Sequence, residues 1–334
     1  MLIISRTPVR ISFFGGGTDY PDFYLRHGGK VLGTSIDKFI HTSVKTFKSA
    51  FFDHSIRVAY SKTELVKSVD EILHPSVRES LKFKGISGNL DIHIFSDLPA
   101  KTGLGSSSSF TVGFLNALEA LSGKKISKQK LALEACHVEQ RCIQEAVGSQ
   151  DQFHAAFGGF NVIEFTSSHV QVRPVVISRE KKECLQDHLL VFYTGISRLA
   201  GEIAKEQIEK TKKTLNDAHL YRMLELVDQA EEVLTSYAGE EMVKQFGLLL
   251  DEGWNLKKQL SSQVTNPLIE NAYEAAMRAG AHGGKLCGAG NGGFLIFFVP
   301  QEKKEEVRRS LAPLNEVEIR FENEGSAIIY MRDG

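Results

Sequence analysis

Residues 90–110 read LDIHIFSDLPAKTGLGSSSSF. Leu90, Ile92 and Ile94 alternate with Asp91 and His93, the period of a strand with one buried face. Phe110, Phe114, Leu118 and Leu121 recur at helical spacing. The segment between them, with Gly103, Gly105 and Ser106 to Ser109, therefore reads as a glycine turn from a strand into a serine-capped helix. Glycines let backbone N–H groups approach a ligand unobstructed. A helix N-terminus adds unpaired N–H groups and the positive end of its dipole. Together they make an anion site suited to phosphate, and serine hydroxyls can ligate a hard cation such as Mg²⁺. An ordinary capped helix after a tight turn has the same local signature. A Walker P-loop is excluded, because GxxxxGK[ST] needs a lysine after the glycines and Lys101 precedes them.

Two further glycine segments narrow the choice. In KLCGAGNGGFLIFF, residues 285–298, Gly288, Gly290 and Gly293 satisfy GxGxxG. A dinucleotide fingerprint needs a strand before and a helix after. Here a helical pattern precedes and an apolar strand follows, so a tight strand-entry turn or a backbone closing over phosphates from the far side remains. The density of glycine favours the second. In TPVRISFFGGGTDYPDF, residues 7–23, a strand ends in Gly15, Gly16 and Gly17, followed by Thr18, Asp19 and Tyr20, with Arg10 upstream. More glycine than a turn needs, between an acid and an arginine, suggests a polar ligand on bare backbone. Asp19 is a suitable acceptor for sugar hydroxyls; an exposed Asp in a strand-ending turn is the alternative.

A length of 334 residues allows two domains, at roughly 150 residues each. With 40 basic and 41 acidic side chains, nothing points to nucleic acid or an anionic membrane as main partner. Cys136, Cys142, Cys184 and Cys287 form no CxxC pair, which argues for a reducing compartment without disulfides or zinc. Arg6 and Arg10 interrupt the apolar start, against a signal peptide, and no apolar run reaches the ~18 residues of a membrane span. A cytoplasmic protein is the expectation.

Along the chain, residues 2–14, 31–48 and 51–64 read as extended and 64–84 as helical. A strand at 89–96 and a helix to about 122 follow, then a helix capped by Ser127 with the stripe Leu131, Ala135, Val138 and Cys142. The segment from Gly148 reads as a loop leading to a strand. DHLLVFYTG reads as a strand, 203–262 as long helices, and NPLIENAYEAAMRAG as a helix with Pro267 near its start and Gly280 near its end. GFLIFFVP, NEVEIRF and SAIIYM read as strands. By itself this is a mixed α/β chain with a helix-rich second half. No linker marks the boundary, placed at 180/181.

In order, PVRISFFGGGTDYP, PAKTGLGSSSS and KLCGAGNGG resemble the three motifs of the GHMP kinases, which include galactokinase, homoserine kinase and mevalonate kinase. The resemblance implies a two-domain fold: a ribosomal-protein-S5-like ATP-binding domain over 1–180 and a ferredoxin-like domain with extra helices over 181–334. It implies ATP and Mg²⁺. Pro99, Lys101, Thr102, Gly103, Leu104, Gly105, Ser106, Ser107 and Ser108 would wrap the ATP phosphates. Gly16, Gly17, Thr18 and Asp19 would line the acceptor site, and Gly288, Gly290 and Asn291 would close over the ligands. Asn291 departs from the small residue, often glycine, that many members carry. By the same resemblance Ser107 and Glu139 would hold the metal and Asp151, assisted by Arg10, would be the general base. The GGGTD form, in place of the GEHTDY of typical galactokinases, and FYTGISRLAG resemble the heptose 7-phosphate kinases. These phosphorylate the anomeric hydroxyl of D-glycero-D-manno-heptose 7-phosphate. Arg198 and Lys30 are the candidates to hold the acceptor's phosphate. Fucokinase-like or galactokinase-like kinases, or a non-catalytic sensor on the same scaffold, share much of this pattern. The partner expected is a small sugar phosphate, and a homodimer is compatible with it.

Overall fold

A computed structural model describes residues 1–100, 102–196 and 200–333. The chain opens with β1 (Leu2–Phe14), α1 (Pro21–His27) and β2 (Gly29–Thr46). β3 (Ile56–Ala59), β4 (Thr63–Val66), α2 (Pro75–Lys84) and β5 (Leu90–Ser96) follow. Residues 64–84 are thus not one helix. Their start pairs as β4 with β3, and helix begins only at Pro75, where the missing N–H costs nothing. Next come α3 (Ser106–Leu121), α4 (Lys128–His137), α5 (Gln150–Phe157), β6 (Phe160–Phe165) and β7 (Val170–Pro174). Ser127 caps α4, accepting from the Lys130 N–H. Beyond α4 the stripe does not continue as α-helix: residues 138–142 form a π-helical turn, which rotates Glu139 inward.

The second half carries α6 (Arg179–Asp187), β8 (Leu189–Tyr193), α7 (Ala200–Lys212), α8 (Asp217–Ser236), α9 (Gly239–Leu260) and α10 (Pro267–Arg278). β9 (Gly283–Leu286), β10 (Phe294–Phe298), α11 (Lys304–Ser310), β11 (Asn315–Glu316), β12 (Phe321–Glu322) and β13 (Ala327–Arg332) complete it. NEVEIRF is therefore two short pairings, β11 on β8 and β12 on β2, with the chain crossing between two sheets.

The larger sheet runs β13-β1-β2-β5-β3-β4, with β6 and β12 also on β2 and β7 on β6. Among the described residues only β3 and β5 pair in parallel. The smaller sheet, β11-β8-β10-β9, is antiparallel. The last two strands thus return from the second half to the first sheet, so one cut at 180/181 does not separate the sheets.

Two packing features position the site. Residues 7–14 of β1 are buried throughout, not alternately, because α3 and α5 cover one face and the second half covers the other. Phe13 and Phe14 pack on Phe246 of α9, with ring centroids 5.5 and 5.0 Å apart. The end of β1, and with it Gly15 to Gly17, is therefore clamped where the two halves meet.

Candidate active site

All three glycine segments line one cleft of about 440 Å³. Arg10, Asp19, Asp151, Lys257 and Lys285 contribute its charged walls. A larger groove of about 520 Å³, around Asp37, Lys304 and Arg308, contains none of the glycine segments.

The middle segment forms the helix start, but glycine rather than serine occupies the cap. Gly105 has φ +77°, and no side chain caps α3. Ser106 to Ser109 lie inside the first turn. The first helical N–H bond there is Ser109 to the Gly105 carbonyl, at 2.9 Å. The preceding amides stay uncapped at the cleft, the arrangement an anion needs. The third segment lies against this loop. A Cβ on Gly288 would stand 2.3 Å from the Gly103 Cα, so only bare backbone permits the contact. Leu104 is buried in the core, and its carbonyl accepts from the Arg10 N–H at 3.0 Å. Thr102 donates its hydroxyl to the Pro99 carbonyl at 2.9 Å. Lys101 and Arg198 lie outside the described residues.

Arg10 and Asp151 meet beside this loop. Arg10 Nη2 is 2.6 Å and Nε 2.8 Å from Asp151 Oδ1, while Nη1 donates to the Gly103 carbonyl at 2.8 Å. One guanidinium thus ties the carboxylate to the glycine turn. Asp151 is not on a loop: it sits in the first turn of α5, a rigid mount. Its carboxylate remains partly exposed, whereas Arg10 is buried.

Asp19 is fully buried and accepts from the N–H groups of Gly17 (3.0 Å) and Gln150 (3.2 Å). Burial raises its pKa; these two donors oppose the shift and the Asp151 charge adds to it. Thr18 spends its hydroxyl inside the turn, on the carbonyls of Gly15 and Lys30. Gly16 and Gly17 line the cleft. Gly290 packs on Val264, and the Asn291 side chain accepts from Asn266 at 2.7 Å; neither reaches the cleft wall. Asn291 holds φ +58°, a conformation asparagine tolerates. Lys30 points elsewhere as well, pairing with Asp228 at 2.5 Å.

The metal candidates rearrange. Glu139 is fully buried on the π-helical turn, not at the cleft edge, and it bonds Ser108 (2.8 Å) and Gln152 (2.5 Å) rather than Ser107. Ser107 is exposed and lines the cleft. Helical geometry explains the exchange, since consecutive residues of α3 face about 100° apart. Burial pushes the Glu139 carboxyl up to about 7, against hydrogen bonds from Thr111, Ser108 and Gln152. Its Oε1 has no partner among the described residues. No cluster of three or more His, Cys, Asp or Glu side chains exists among those residues. Mg²⁺ does not require one, since one or two oxygen ligands plus nucleotide phosphates suffice. The unpartnered Glu139 Oε1 and the Ser108 hydroxyl bonded to its carboxylate, with Ser107 on the cleft wall above, are oxygen donors of the kind that set calls for.

Lys257 and Lys285 went unnoticed in the sequence. Lys257 Nζ donates to the carbonyls of Leu286 (3.2 Å) and Gly288. Lys285 Nζ donates to those of Ser12 and Phe13, both at 2.9 Å, joining the smaller sheet to β1. Burial pushes their pKa values down, to about 7 and about 8. A signal existed for Lys257: it falls on the apolar face of α9 with Trp254 and Leu260.

Two family models match, "GHMP kinases N terminal domain" over residues 65–159 and "GHMP kinases C terminal" over 238–314. The D-glycero-alpha-D-manno-heptose 7-phosphate kinase of Campylobacter jejuni is 28% identical over 92% of this chain and 93% of its own length. The galactokinase of Pyrococcus furiosus is 27% identical over 91% of each. Two solved structures share the fold. A D-glycero-D-manno-heptose 1-phosphate kinase from Bacteriodes thetaiotaomicron has TM-score 0.72 and 24% identity, over 100% of both chains. The galactokinase of Lactococcus lactis has TM-score 0.74 and 18% identity, over 98% of this chain and 95% of that one. With the glycine-lined cleft already in place, these matches identify a two-domain, ATP-dependent sugar kinase acting on an alcohol group: the chain belongs to the GHMP kinase family.

Proposed function

We propose that the chain transfers the γ-phosphoryl group of ATP to the anomeric hydroxyl of D-glycero-D-manno-heptose 7-phosphate. The observation that carries the phosphotransfer chemistry is the Arg10–Asp151 pair, tied to the Gly103 turn in a cleft that also holds Asp19. The amides at the start of α3 bind the phosphate chain. Asp151 accepts the proton of the attacking hydroxyl, and Arg10 holds that carboxylate in place. In their protonated forms Lys257 and Lys285 add positive charge to the cleft wall where phosphate charge is transferred. Glu139, Ser107 and Ser108 are the residues to hold Mg²⁺, which when bound neutralises nucleotide phosphate charge. The sugar identity is supported by the C. jejuni relative, whose name states that acceptor.

Lys30 is engaged with Asp228, which leaves the acceptor's phosphate to another cation. Lys205 on α7 is exposed and lines the cleft. Lys205→Ala should raise the KM for heptose 7-phosphate roughly tenfold or more, the value of a charge-assisted hydrogen bond, with the KM for ATP unchanged.

The test is coupled ATP consumption over heptose 7-phosphate, L-fucose, galactose and mevalonate, with phosphorus NMR locating the new phosphate. Turnover of the heptose at C1 is the expected result. A faster reaction with another acceptor would replace the substrate assignment, and ATP binding without turnover of any would leave a sensor.

A further inference from the structure

One glycine of the turn after β1 is not demanded by the fold. Gly15 has φ +78°, and a Cβ there would stand 1.9 Å from the Lys30 carbonyl oxygen. Gly17 has φ +109° and would press on Gln207 at 2.8 Å. Gly16 lies outside the left-handed region, and a Cβ would meet nothing closer than Gln150 Nε2 at 3.7 Å and Ser12 Oγ at 3.8 Å. Neither backbone nor packing requires glycine there. The bare surface borders the cleft.

The two side chains that flank it are unsatisfied. Ser12 and Gln150 are 7% and 8% exposed, and both line the cleft. Ser12 Oγ and Gln150 Oε1 have no hydrogen-bond partner among the described residues. Leaving a buried polar atom unpaired opposes folding unless a ligand or water completes it. Here two converge on one open floor, beside the buried Asp19 carboxylate. The Gln150 backbone N–H donates to Asp19 at 3.2 Å, which fixes the main chain from which its side chain reaches the cleft.

The chemistry of the missing ligand follows from the unpaired atoms. Gln150 Oε1 accepts, its Nε2, the side-chain atom nearest the Gly16 floor at 3.7 Å, donates, and Ser12 Oγ does both. A hydroxyl supplies the proton that Gln150 Oε1 lacks. A carboxylate or a dianionic phosphate supplies none and would face Asp19.

We propose that Ser12, Gly16 and Gln150 form a subsite that reads hydroxyl groups of a polyol acceptor and sets specificity for it. The inference rests on the reading of this cleft as a sugar kinase site and goes beyond it by naming residues that choose among acceptors. Gln150 and Ser12 contact ring or side-chain hydroxyls, and the absence of a Cβ at position 16 lets the carbon skeleton lie against the backbone.

The experiment compares Gln150→Leu, Ser12→Ala and Gly16→Ala with the wild type. The acceptor is whichever sugar the wild type turns over best, so an error in the heptose assignment appears in the wild-type panel alone. Single-deoxy versions of that sugar are run beside it. Gln150→Leu should raise the acceptor KM roughly tenfold, the loss of one well-made hydrogen bond, with the KM for ATP unchanged. Its Tm should hold or rise, because an orphaned polar group is removed. Gly16→Ala should keep Tm and raise the acceptor KM by filling the floor. One deoxy sugar should be disfavoured by the wild type and not by Gln150→Leu. Unchanged acceptor KM in all three variants overturns the subsite. So does a fall in Tm with acceptor KM unchanged, which would make these residues structural. A wild type that accepts only a non-polyol overturns it as well.

Discussion

At the scale of single residues, charge placement decides what this cleft can do. Asp151 is the partly exposed carboxylate held by Arg10, so Asp151→Asn should lower kcat by about 10²–10⁴ while nucleotide affinity, measured by calorimetry, is retained. Undiminished turnover would remove the general base from the mechanism. Lys257 makes a separate prediction about stability. Its pKa falls from 10.5 to about 7 on burial, so between those values the unfolded chain binds more protons than the folded one. Stability from this group therefore rises with pH across that window, by at most about 1.4 kcal/mol per pH unit. Denaturant titrations at successive pH values should show this slope in the wild type and a smaller one in Lys257→Met. Arg10 and Asp19 stand out in the sequence because they flank the first glycine segment, whereas Glu139 and Asp151 are candidates only through the family resemblance. Lys257 shares the apolar face of α9 with Trp254 and Leu260, but a lone lysine on such a face ordinarily packs its stem and sends its charge to water, so its burial shows only in the structure. Ser107 is paired with Glu139 as a metal ligand only by the resemblance, and four consecutive serines carry no sign of their own that Ser108 is the one facing Glu139.

Secondary-structure elements act here as mounts. α3 presents its first amides because Gly105 can hold φ +77°, and its missing side chain leaves room for Asp151 and Arg10, whose atoms lie 3.3 and 3.4 Å from where a Cβ would be. Gly105→Ala should cost about 1–2 kcal/mol for the left-handed backbone, and it should weaken nucleotide binding more than acceptor binding. Thermal unfolding and separate binding titrations would check both. α5 gives Asp151 a rigid base where a loop had been expected. The polar run GSQDQF resembles a turn, yet Phe153, Ala155 and Ala156 bury against the sheet and stabilise a helix that local composition does not announce. The π-helical turn at 138–142 is likewise invisible to periodicity, because it depends on how the chain leaves α4. By contrast β5, α3 and α10 were legible from their periods and from glycine or proline punctuation, and β1 from its extended apolar run ending in glycines.

For the molecule as a whole, the two halves are interleaved. β12 and β13, from the C-terminal end, pair with β2 and β1, and the aromatic contacts of Phe13 and Phe14 bind the halves together. A fragment of residues 1–180 lacks both strands and exposes that apolar face. It should fail to unfold cooperatively when monitored by circular dichroism, and a chain ending at residue 320 should lose protection in β1 by hydrogen exchange. A fully native, monomeric fragment would contradict this account. What the linear order of residues determined was the local vocabulary: three glycine-rich turns and the strands and helices beside them, consequences of backbone freedom and short-range periodicity. What only the tertiary structure decided was convergence. Lys285 reaches the carbonyls of Ser12 and Phe13, Gly288 rests on Gly103, and Ser12 and Gln150 face each other over Gly16. Such contacts join residues far apart in the chain, and burial, not sequence pattern, fixes which groups lose water and which keep an open face.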